Sequence, residues 1–262
     1  MSVLQASKVT HLARSTITYV RKTKQDEPWI TRLTELVDRH PGIGFWKSYH
    51  RLRLQGYYIN HKRLYRIYTS MGLNIRRRKR KRLPARAKQQ LFVPAAPNQV
   101  WSMDFMHDRL WDGRRFRLLN VVDDFNRQVL WIESDSSLPA DRVIRVLENL
   151  KESRGLPRMI RVDNGPELIS TKLDVWCRDH DITLAFIQAG KPTQNAFIER
   201  FNQTVRTEVL NAYVFRTLGE VRTHINEFIV DYNHHRPHDS LGNLTPMQLQ
   251  QKHESSTLLL LE

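Results

Sequence analysis

The 262-residue sequence predicts two regions of different class, a small basic all-α region followed by an α/β domain with a mixed sheet and flanking helices. Residues 1–90 hold 22 Lys and Arg against 4 Asp and Glu, a net charge of +18, whereas residues 91–262 hold 20 against 23, a net charge of −3. The apolar pattern also changes near residue 92, from helical spacing to short strand-like runs. The basic region is typical of a protein that meets a polyanion, either a nucleic acid or a membrane surface.

The first region is predicted to form short helices with helix-turn-helix spacing. Apolar residues at helical intervals predict a helix over residues 27–40, which stops before a proline. A second helix is expected over 45–54, and Asn60 is expected to cap a third that ends at Gly72. The aromatic residues of this region, Trp46, Tyr57 and Tyr58, are expected to pack within it rather than to stack on a ligand.

A run of cations follows the helices. Seven consecutive basic residues cannot be buried in a compact fold, so residues 75–91 are predicted to form an exposed linker. These cations are predicted to contact DNA phosphates rather than to read sequence, and the alternatives are a solvated linker or a localisation signal. The seven residues are Arg76, Arg77, Arg78, Lys79, Arg80, Lys81 and Arg82.

The second region begins with an antiparallel meander and continues with alternating helices and strands, which implies parallel pairing. The predicted strands lie at 100–105, 116–124, 128–134, 159–163 and 182–187. The predicted helices lie at 140–152, 170–178, 195–210 and 218–233, and a short one is expected after Thr245-Pro246.

Three acidic residues are the first candidates for chemistry. Functional residues gather at the carboxyl ends of parallel strands, and Asp104 lies near the end of the first predicted strand while Asp163 closes the fourth. Glu199 lies on the polar face of the next helix, opposite its apolar stripe. Each acid alone also fits a structural role, as a strand-end cap, as an Asx turn, or as a solvated glutamate paired with Arg200 or Arg206.

Taken together, the three acids resemble the catalytic triplet of the DDE transposase and retroviral integrase superfamily. The resemblance is carried by WSMDF around Asp104, VDNGPE around Asp163 and KPTQNAFIERFN around Glu199, with 35 residues between the last two acids. The ending YNHHRPHDSLGNLTPMQL is similar to the YN..RPH..L...TP ending of bacterial insertion-sequence transposases of the "insertion sequence three" group, in their second reading frame. HPGIG and GLNIRRRKR are similar to the helix-turn-helix-like segment of that group.

The resemblance implies a domain plan and a reaction. A helix-turn-helix-like DNA-binding region is expected at 1–74, a ribonuclease H-like catalytic domain at 92–250 and a tail at 251–262. The chain is then expected to nick the ends of its own mobile element with water and to join the freed 3′-hydroxyl to another phosphodiester, without a covalent protein–DNA intermediate.

The same three acids are the predicted metal ligands. In-line phosphoryl transfer calls for two hard cations about 4 Å apart, and carboxylates are the ligands that Mg²⁺ prefers. The resemblance implies that Asp104 bridges both ions, that Asp163 and Glu199 each hold one, and that Mn²⁺ substitutes for Mg²⁺.

Further residues are predicted to contact DNA. Lys191 and Asn195 precede the helix of Glu199, where free backbone N–H groups favour a phosphate, although an ordinary surface loop is the alternative. Asn202 and Arg206 share the polar face of Glu199 and are predicted contacts as well. The expected partners are double-stranded DNA, both the terminal inverted repeats and the target, further copies of the chain in a homodimer or larger assembly, and an upstream-frame product.

Other groups are set aside. Asp123 and Asp124 are interpreted as a turn rather than a metal pair, and the histidines at 234, 235 and 238 lack a metal-site spacing. Cys177, the only cysteine, is expected to be a small buried residue. Because the chain has one cysteine, the His₂Cys₂ zinc module of retroviral integrases is excluded.

The apolar runs bear on where the protein is found. No apolar run approaches the length of about 20 residues that spans a bilayer. With no apolar leader at the N-terminus, these features predict a cytoplasmic protein. The resemblance implies that it is bacterial and associated with the nucleoid.

Two alternatives to transposition remain at the level of sequence. A nuclease of the same fold would cut DNA without joining it, and a catalytically inactive relic would only bind DNA.

Overall fold

The computed structural model of the protein describes residues 2–19, 25–74, 93–163, 165, 168–187 and 195–258. The cations predicted to contact DNA at 76–82, the linker that holds them and Lys191 lie outside these residues. The described helices are α1 (Val3–Thr10), α2 (Arg14–Ile17), α3 (Glu27–Arg39), α4 (Phe45–Leu54), α5 (His61–Ser70), α6 (Ala140–Arg154), α7 (Thr171–Asp179), α8 (Ala196–Val205), α9 (Leu218–His234) and α10 (Pro246–Leu258). The strands are β1 (Val100–Arg109), β2 (Arg115–Asp123), β3 (Val129–Asp135), β4 (Met159–Val162) and β5 (Thr183–Phe186).

The first region is helical, as predicted. The α3, α4 and α5 helices surround a small apolar core that includes Leu33, Leu52 and Leu64. Asn60 caps α5 by accepting a hydrogen bond from the backbone N–H of Lys62 at 2.8 Å, as the sequence predicts. The α1 and α2 helices were not predicted from the sequence. Neither helix buries a residue, so neither needs an apolar stripe by which it could be predicted.

The second region is built on one five-stranded mixed sheet in the order β3-β2-β1-β4-β5. The β1, β2 and β3 strands pair antiparallel, and β4 and β5 continue the sheet in parallel, which confirms the predicted meander and crossovers. Side chains alternate between two cores, because successive residues of a strand point to opposite faces. One core joins the sheet to α8 and α9, and the other joins it to α6 and α7.

Three elements differ from the prediction. The β1 strand continues to Arg109 because residues 103–109 pair with β2, so Asp104 lies in the middle of a strand rather than near its end. The helix expected at 195–210 is α-helical only to Val205 and continues as a π-helical turn, Arg206–Leu210. The expected short helix after Pro246 runs to Leu258 and crosses the predicted boundary at residue 250.

The end of α9 is fastened to the sheet by one side chain. Asn233 is 6% exposed; its Oδ1 accepts a hydrogen bond from the backbone N–H of Val129, and its Nδ2 donates one to the carbonyl of the same residue, both at 2.9 Å. Val129 begins β3, beside the bulge in its pairing with β2. The YNHHRPH segment therefore has a structural role, in which Arg236 also forms an ion pair with Glu208.

The helical region and the sheet domain meet through a charged contact. Arg51 of α4 is 5% exposed and donates two hydrogen bonds to Asp231 of α9, with Nη1 2.7 Å from Oδ1 and Nη2 2.5 Å from Oδ2. His40 lies beside this pair, with its Nε2 3.6 Å from Oδ1 of Asp231. None of the described helices has the length and apolar character needed to span a membrane.

Candidate active site

The pairing of β1 with β4 brings the first two acids level with each other. Ser102 of β1 pairs with Arg161 of β4, so continuing the parallel register by two residues places Asp104 beside Asp163. Residues two apart along a strand share a face of the sheet. Ser102 and Arg161 both bond to Asp124, each at 2.7 Å, which indicates that Asp104 and Asp163 also project from one face.

Helix α8 carries the third acid toward the same face. Ile198, Phe201 and Val205 of this helix are buried against the sheet. Glu199 is exposed, and Asn202 follows it by three residues, so the two lie on one side of the helix. Asn202 donates a hydrogen bond from Nδ2 to Oδ2 of Asp104 at 2.7 Å, so this side of α8 faces the two aspartates.

The charges of Asp163 and Glu199 act on Asp104. The pKa of Asp104 is raised from its ordinary value to about 6, first by burial, then by the negative charge of Asp163, and further by that of Glu199. Hydrogen bonds from the backbone N–H of Phe105 and from Asn202 favour the charged form and oppose this rise. The three carboxylates thus form one negatively charged site.

Asp104 is held by a chain of two amides. Asn120 of β2 lies opposite Asp104 in the antiparallel register and is fully buried. Its Nδ2 donates a hydrogen bond to Oδ1 of Asn202 at 2.6 Å, and this contact leaves the Nδ2 of Asn202 directed at Asp104. The arrangement fixes one carboxylate oxygen of Asp104 before any cation arrives.

The donor set fits a hard divalent cation. Carboxylate oxygens are the ligands that Mg²⁺ and Mn²⁺ prefer, and the negative charges at this site repel one another without a cation. Within the described residues, neither Asp163 nor Glu199 has a salt bridge to a cationic side chain. Among those residues, no three potential ligands lie close enough together to enclose a single ion.

The residues predicted to contact DNA fall into different environments. Asn202 is engaged by Asp104 and Asn120, as described above. Arg206 forms an ion pair with Asp108, with Nη1 2.5 Å from Oδ2, so it is not the partner of Glu199 that the sequence offered as an alternative. Asn195 is 2% exposed. Their contact with DNA stays a prediction.

The groups set aside at the sequence level have structural roles. Asp123 accepts a hydrogen bond from the backbone N–H of Phe125 in the predicted turn, and Asp124 is buried against Arg161. Cys177 is 1% exposed and burial raises the pKa of its thiol to about 11, which excludes a ready nucleophile. His238 is held in a bridge to Leu244 and has its pKa lowered to about 3 by burial and by nearby cations, Arg236 first.

Sequence reasoning missed Asn120. A signal was available, because Asn120 interrupts the apolar run LLNVV of β2, and a lone polar residue in a buried strand needs a partner. The identity of the partner was not available, since Asn120 and Asn202 are 82 residues apart in the chain.

Two family models, each described as an integrase core domain, match the chain at residues 94–192 and 180–246. The chain is 39% identical over 257 residues to the 31.7 kDa protein of insertion element IS407 from Burkholderia multivorans, covering 98% of this chain and 93% of that protein. It is 27% identical over 201 residues to the transposase for insertion sequence element IS904 from Lactococcus lactis, covering 74% of this chain and 76% of that protein.

A solved structure shares the fold. A chain of the simian T-cell lymphotropic virus intasome, in complex with the PP2A regulatory subunit B56 gamma, superposes with a TM-score of 0.54 at 18% identity. The match covers 84% of this chain and 74% of that chain. The mixed sheet with flanking helices is thus the predicted ribonuclease H-like fold.

Proposed function

The chain belongs to the integrase core family of bacterial insertion-element transposases, which serves DNA transposition, and we propose that it cuts and joins DNA at the site of Asp104, Asp163 and Glu199. The observation that carries this proposal is the placement of the acids. The β1–β4 register sets Asp104 level with Asp163, and Asn202, on the side of α8 that carries Glu199, bonds to Asp104. Acidic side chains brought together on one face of a sheet repel one another, and this arrangement is useful to a protein that binds cations there.

The three acids are the proposed ligands of two divalent cations, with Asp104 shared between them and Asp163 and Glu199 each holding one. Bound Mg²⁺, or Mn²⁺ in its place, would activate an attacking oxygen and stabilise the leaving oxygen of a phosphodiester. Asn202 and Asn120 hold the Asp104 carboxylate in one orientation, so less ordering is needed when a cation binds. Water is the proposed first nucleophile and the freed 3′-hydroxyl the second.

The helical region and the predicted linker are the proposed DNA-holding parts. The excess of cations in residues 1–90 suits contact with phosphates, whose affinity falls as salt rises. Two DNA ends have to be held together for joining, so a homodimer or larger assembly on double-stranded DNA is proposed, with an upstream-frame product as a further partner. Lys191, Asn195, Asn202 and Arg206 remain proposed DNA contacts.

The test is a cleavage and joining assay on DNA that carries the terminal inverted repeats of the element. Asp163→Asn and Glu199→Gln are expected to lower cleavage in Mg²⁺ by at least about 1000-fold while DNA binding persists, since each removes one ligand charge without changing side-chain size. Asp179→Asn, an exposed aspartate on α7, is the matched control and is expected to retain activity. Cleavage retained by Asp163→Asn would refute the assignment.

The products separate the competing functions. Joined product with the wild-type chain supports transposition, cut product that is never joined indicates a nuclease, and DNA binding without cleavage in Mg²⁺ or Mn²⁺ indicates a relic.

A further inference from the structure

Helix α4 has three faces with different neighbours. Ser48 and Leu52 face the core of the helical region. Lys47 and Arg51, one turn apart, face the sheet domain, where Arg51 binds Asp231 and burial, followed by the charge of Arg236, lowers the pKa of Lys47 to about 8. The third face therefore points away from both.

Aromatic and basic side chains occupy this third face. Trp46, His50 and Arg53 are spaced by four and three residues and so share one side of α4. The ring of Trp46 lies 6.2 Å from that of His50 and 5.8 Å from that of His61 on α5. The guanidinium of Arg53 lies 5.4 Å from the ring centre of Tyr58. These five residues are here named the α4–α5 aromatic face.

Two rings of this face, those of Trp46 and Tyr58, are largely open to solvent. The expectation that they pack holds only in part, because Trp46 contacts the rings of Phe45 and Tyr49. Trp46 is 56% exposed and Tyr58 is 73% exposed, although Trp46 also contacts the ring of Phe45 at 5.1 Å. Nearby Tyr65 of α5 is 50% exposed as well. An aromatic side chain left in water forgoes the burial that would stabilise the fold, so several together mark a surface that meets a ligand.

The surroundings are free of acids over a long stretch of chain. No Asp or Glu occurs between Asp38 and Asp104, and α4 and α5 together hold Lys47, Arg51, Arg53, Lys62, Arg63 and Arg66. Asp26 neutralises Arg63 and Arg66. A carboxylate of the sheet domain that acts on the face is Asp239, which raises the pKa of His50 against the larger effect of burial. The face is thus complementary in charge to a polyanion.

We propose that the α4–α5 aromatic face binds unpaired bases of DNA, by stacking them on Trp46 and Tyr58 while Arg53 and neighbouring cations hold the phosphates. This proposal rests on the proposed function, since it assumes that the chain acts on DNA. Every base has an aromatic surface that stacks without regard to sequence, and a cationic surface neutralises the backbone between the bases. In a duplex the bases already stack on one another, so exposed rings reach them only where the strands are parted.

A protein partner fits the face less well. Arg53 lies against the ring of Tyr58, so a protein surface that covers these rings would have to supply an acid for Arg53 or leave it desolvated without a counter-charge. Phosphates occur at every nucleotide and supply that charge along the whole strand. The observations therefore favour a single strand over a protein.

The test compares a fluorescein-labelled single strand of about 16 nucleotides with its duplex, by fluorescence anisotropy on the full chain without divalent metal. The double variant Trp46→Ala/Tyr58→Ala is expected to bind the single strand at least about tenfold more weakly and the duplex nearly as well as the wild type. Trp111→Ala is the matched control, because Trp111 is 76% exposed on the turn between β1 and β2, outside the face. Thermal unfolding of each variant checks that it is folded, and Tyr58→Ala alone replaces the double variant if that is unstable.

Each outcome decides. Selective loss of single-strand binding in the double variant, with Trp111→Ala unchanged, establishes the proposal. The proposal would be overturned if the double variant lost equal affinity for single strand and duplex, or if Trp111→Ala lost as much affinity for the single strand as the double variant did. It would also be overturned if the double variant lost no affinity, and that result would leave a protein as the occupant. The binding assay is independent of the cleavage assay. If the wild type cleaves DNA and the double variant binds the single strand as well as the wild type does, this proposal alone is refuted. If the wild type does not cleave DNA but the double variant selectively loses single-strand binding, only the proposed function is refuted.

Discussion

The raised pKa of Asp104 affects the stability of the protein. Its pKa of about 6 lies above the ordinary aspartate value of 3.8, so the folded, metal-free chain holds this proton more tightly than the unfolded chain. For an acid whose folded pKa is raised, stability is lost as pH rises through the interval between the two values, here from about 4 to about 6. At neutral pH the site is therefore a source of instability that a bound cation would relieve.

Asp163→Asn is expected to stabilise the metal-free protein. The substitution removes a charge that repels Asp104 but keeps an oxygen for the hydrogen bond that Asp163 accepts from the backbone N–H of Gly165 at 3.0 Å. The expected gain is about 1 kcal/mol at pH 7 and none at pH 4, where Asp104 is protonated. Urea unfolding at both pH values measures it, with Asp179→Asn as the control, and a loss of stability at pH 7 would contradict the prediction.

Mg²⁺ is expected to raise the melting temperature of the wild type and to do so only where Asp104 is ionised. Protons compete with the cation below pH 6, so the affinity should fall about tenfold per pH unit there. Thermal unfolding with titrated Mg²⁺ between pH 5 and pH 8 checks this. Two results would count against a cation at these acids: an increase in the wild-type melting temperature that does not depend on pH, or an increase in Asp163→Asn as large as that in the wild type.

Asn202→Ala tests whether the hydrogen bond from Asn202 prepares the Asp104 carboxylate to bind a cation. The variant loses a hydrogen bond to the charged carboxylate, so the pKa of Asp104 should rise and half-maximal cleavage should need about tenfold more Mg²⁺. Gln203→Ala, an exposed neighbour on the same helix, is the control and should behave as the wild type. A lower rate with an unchanged Mg²⁺ requirement and pH profile would assign Asn202 a merely structural role.

At the scale of elements, periodicity predicted most of the helices and strands, because apolar residues mark the buried side of each. The end of β1 escaped prediction, since its last residues are polar and are held as a strand only by pairing with β2. The π-helical turn after α8 is likewise invisible in the sequence. It holds Arg206, which is bound to Asp108 of β1. Elements that depend on their own apolar pattern were predictable, and those that depend on a neighbour were not.

The two hydrogen bonds between Asn233 of α9 and the backbone of Val129 in β3 lead to a prediction for these elements. Asn233→Ala would leave a buried backbone N–H and a buried carbonyl of Val129 without partners, at an expected cost of about 3 kcal/mol in the free energy of unfolding. His234→Ala, the exposed neighbour, should cost less than about 0.5 kcal/mol. Urea unfolding compares them, and equal costs would show that Asn233 does not fasten β3.

At the scale of the whole molecule, the ion pair of Arg51 with Asp231 joins the helical region to the sheet domain. Burial alone would raise the pKa of Asp231, but the hydrogen bonds and charge of Arg51, together with the charges of His40 and Arg236, hold the pKa below its ordinary value. An acid whose pKa is lowered in the folded state contributes stability that is present above its unfolded pKa. This stability is lost as pH falls through the folded pKa. The junction is thus expected to be at full strength at neutral pH and to weaken in acid.

Arg51→Ala is expected to cost about 3 kcal/mol, because it leaves Asp231 largely buried without its counter-charge. Lys172→Ala breaks the exposed pair with Asp141 and should cost less than about 1 kcal/mol. Chemical unfolding at pH 7 measures both. The double variant Arg51→Ala/Asp231→Asn should recover part of the loss, and strict additivity would show that the pair does not join the two regions.

By itself the sequence determined the two-region plan, the order of strands and helices and the three acids, because periodicity, charge balance and spacing are properties of the chain read in order. The tertiary structure alone decided what those residues meet. The β1–β4 register sets Asp104 beside Asp163, Asn120 reaches Asp104 through Asn202, and Arg51 finds Asp231 across 180 residues. The same packing leaves Trp46 and Tyr58 open to solvent. Such contacts depend on how separate elements pack, and no local pattern in the chain records which distant side chain will satisfy a buried charge or amide.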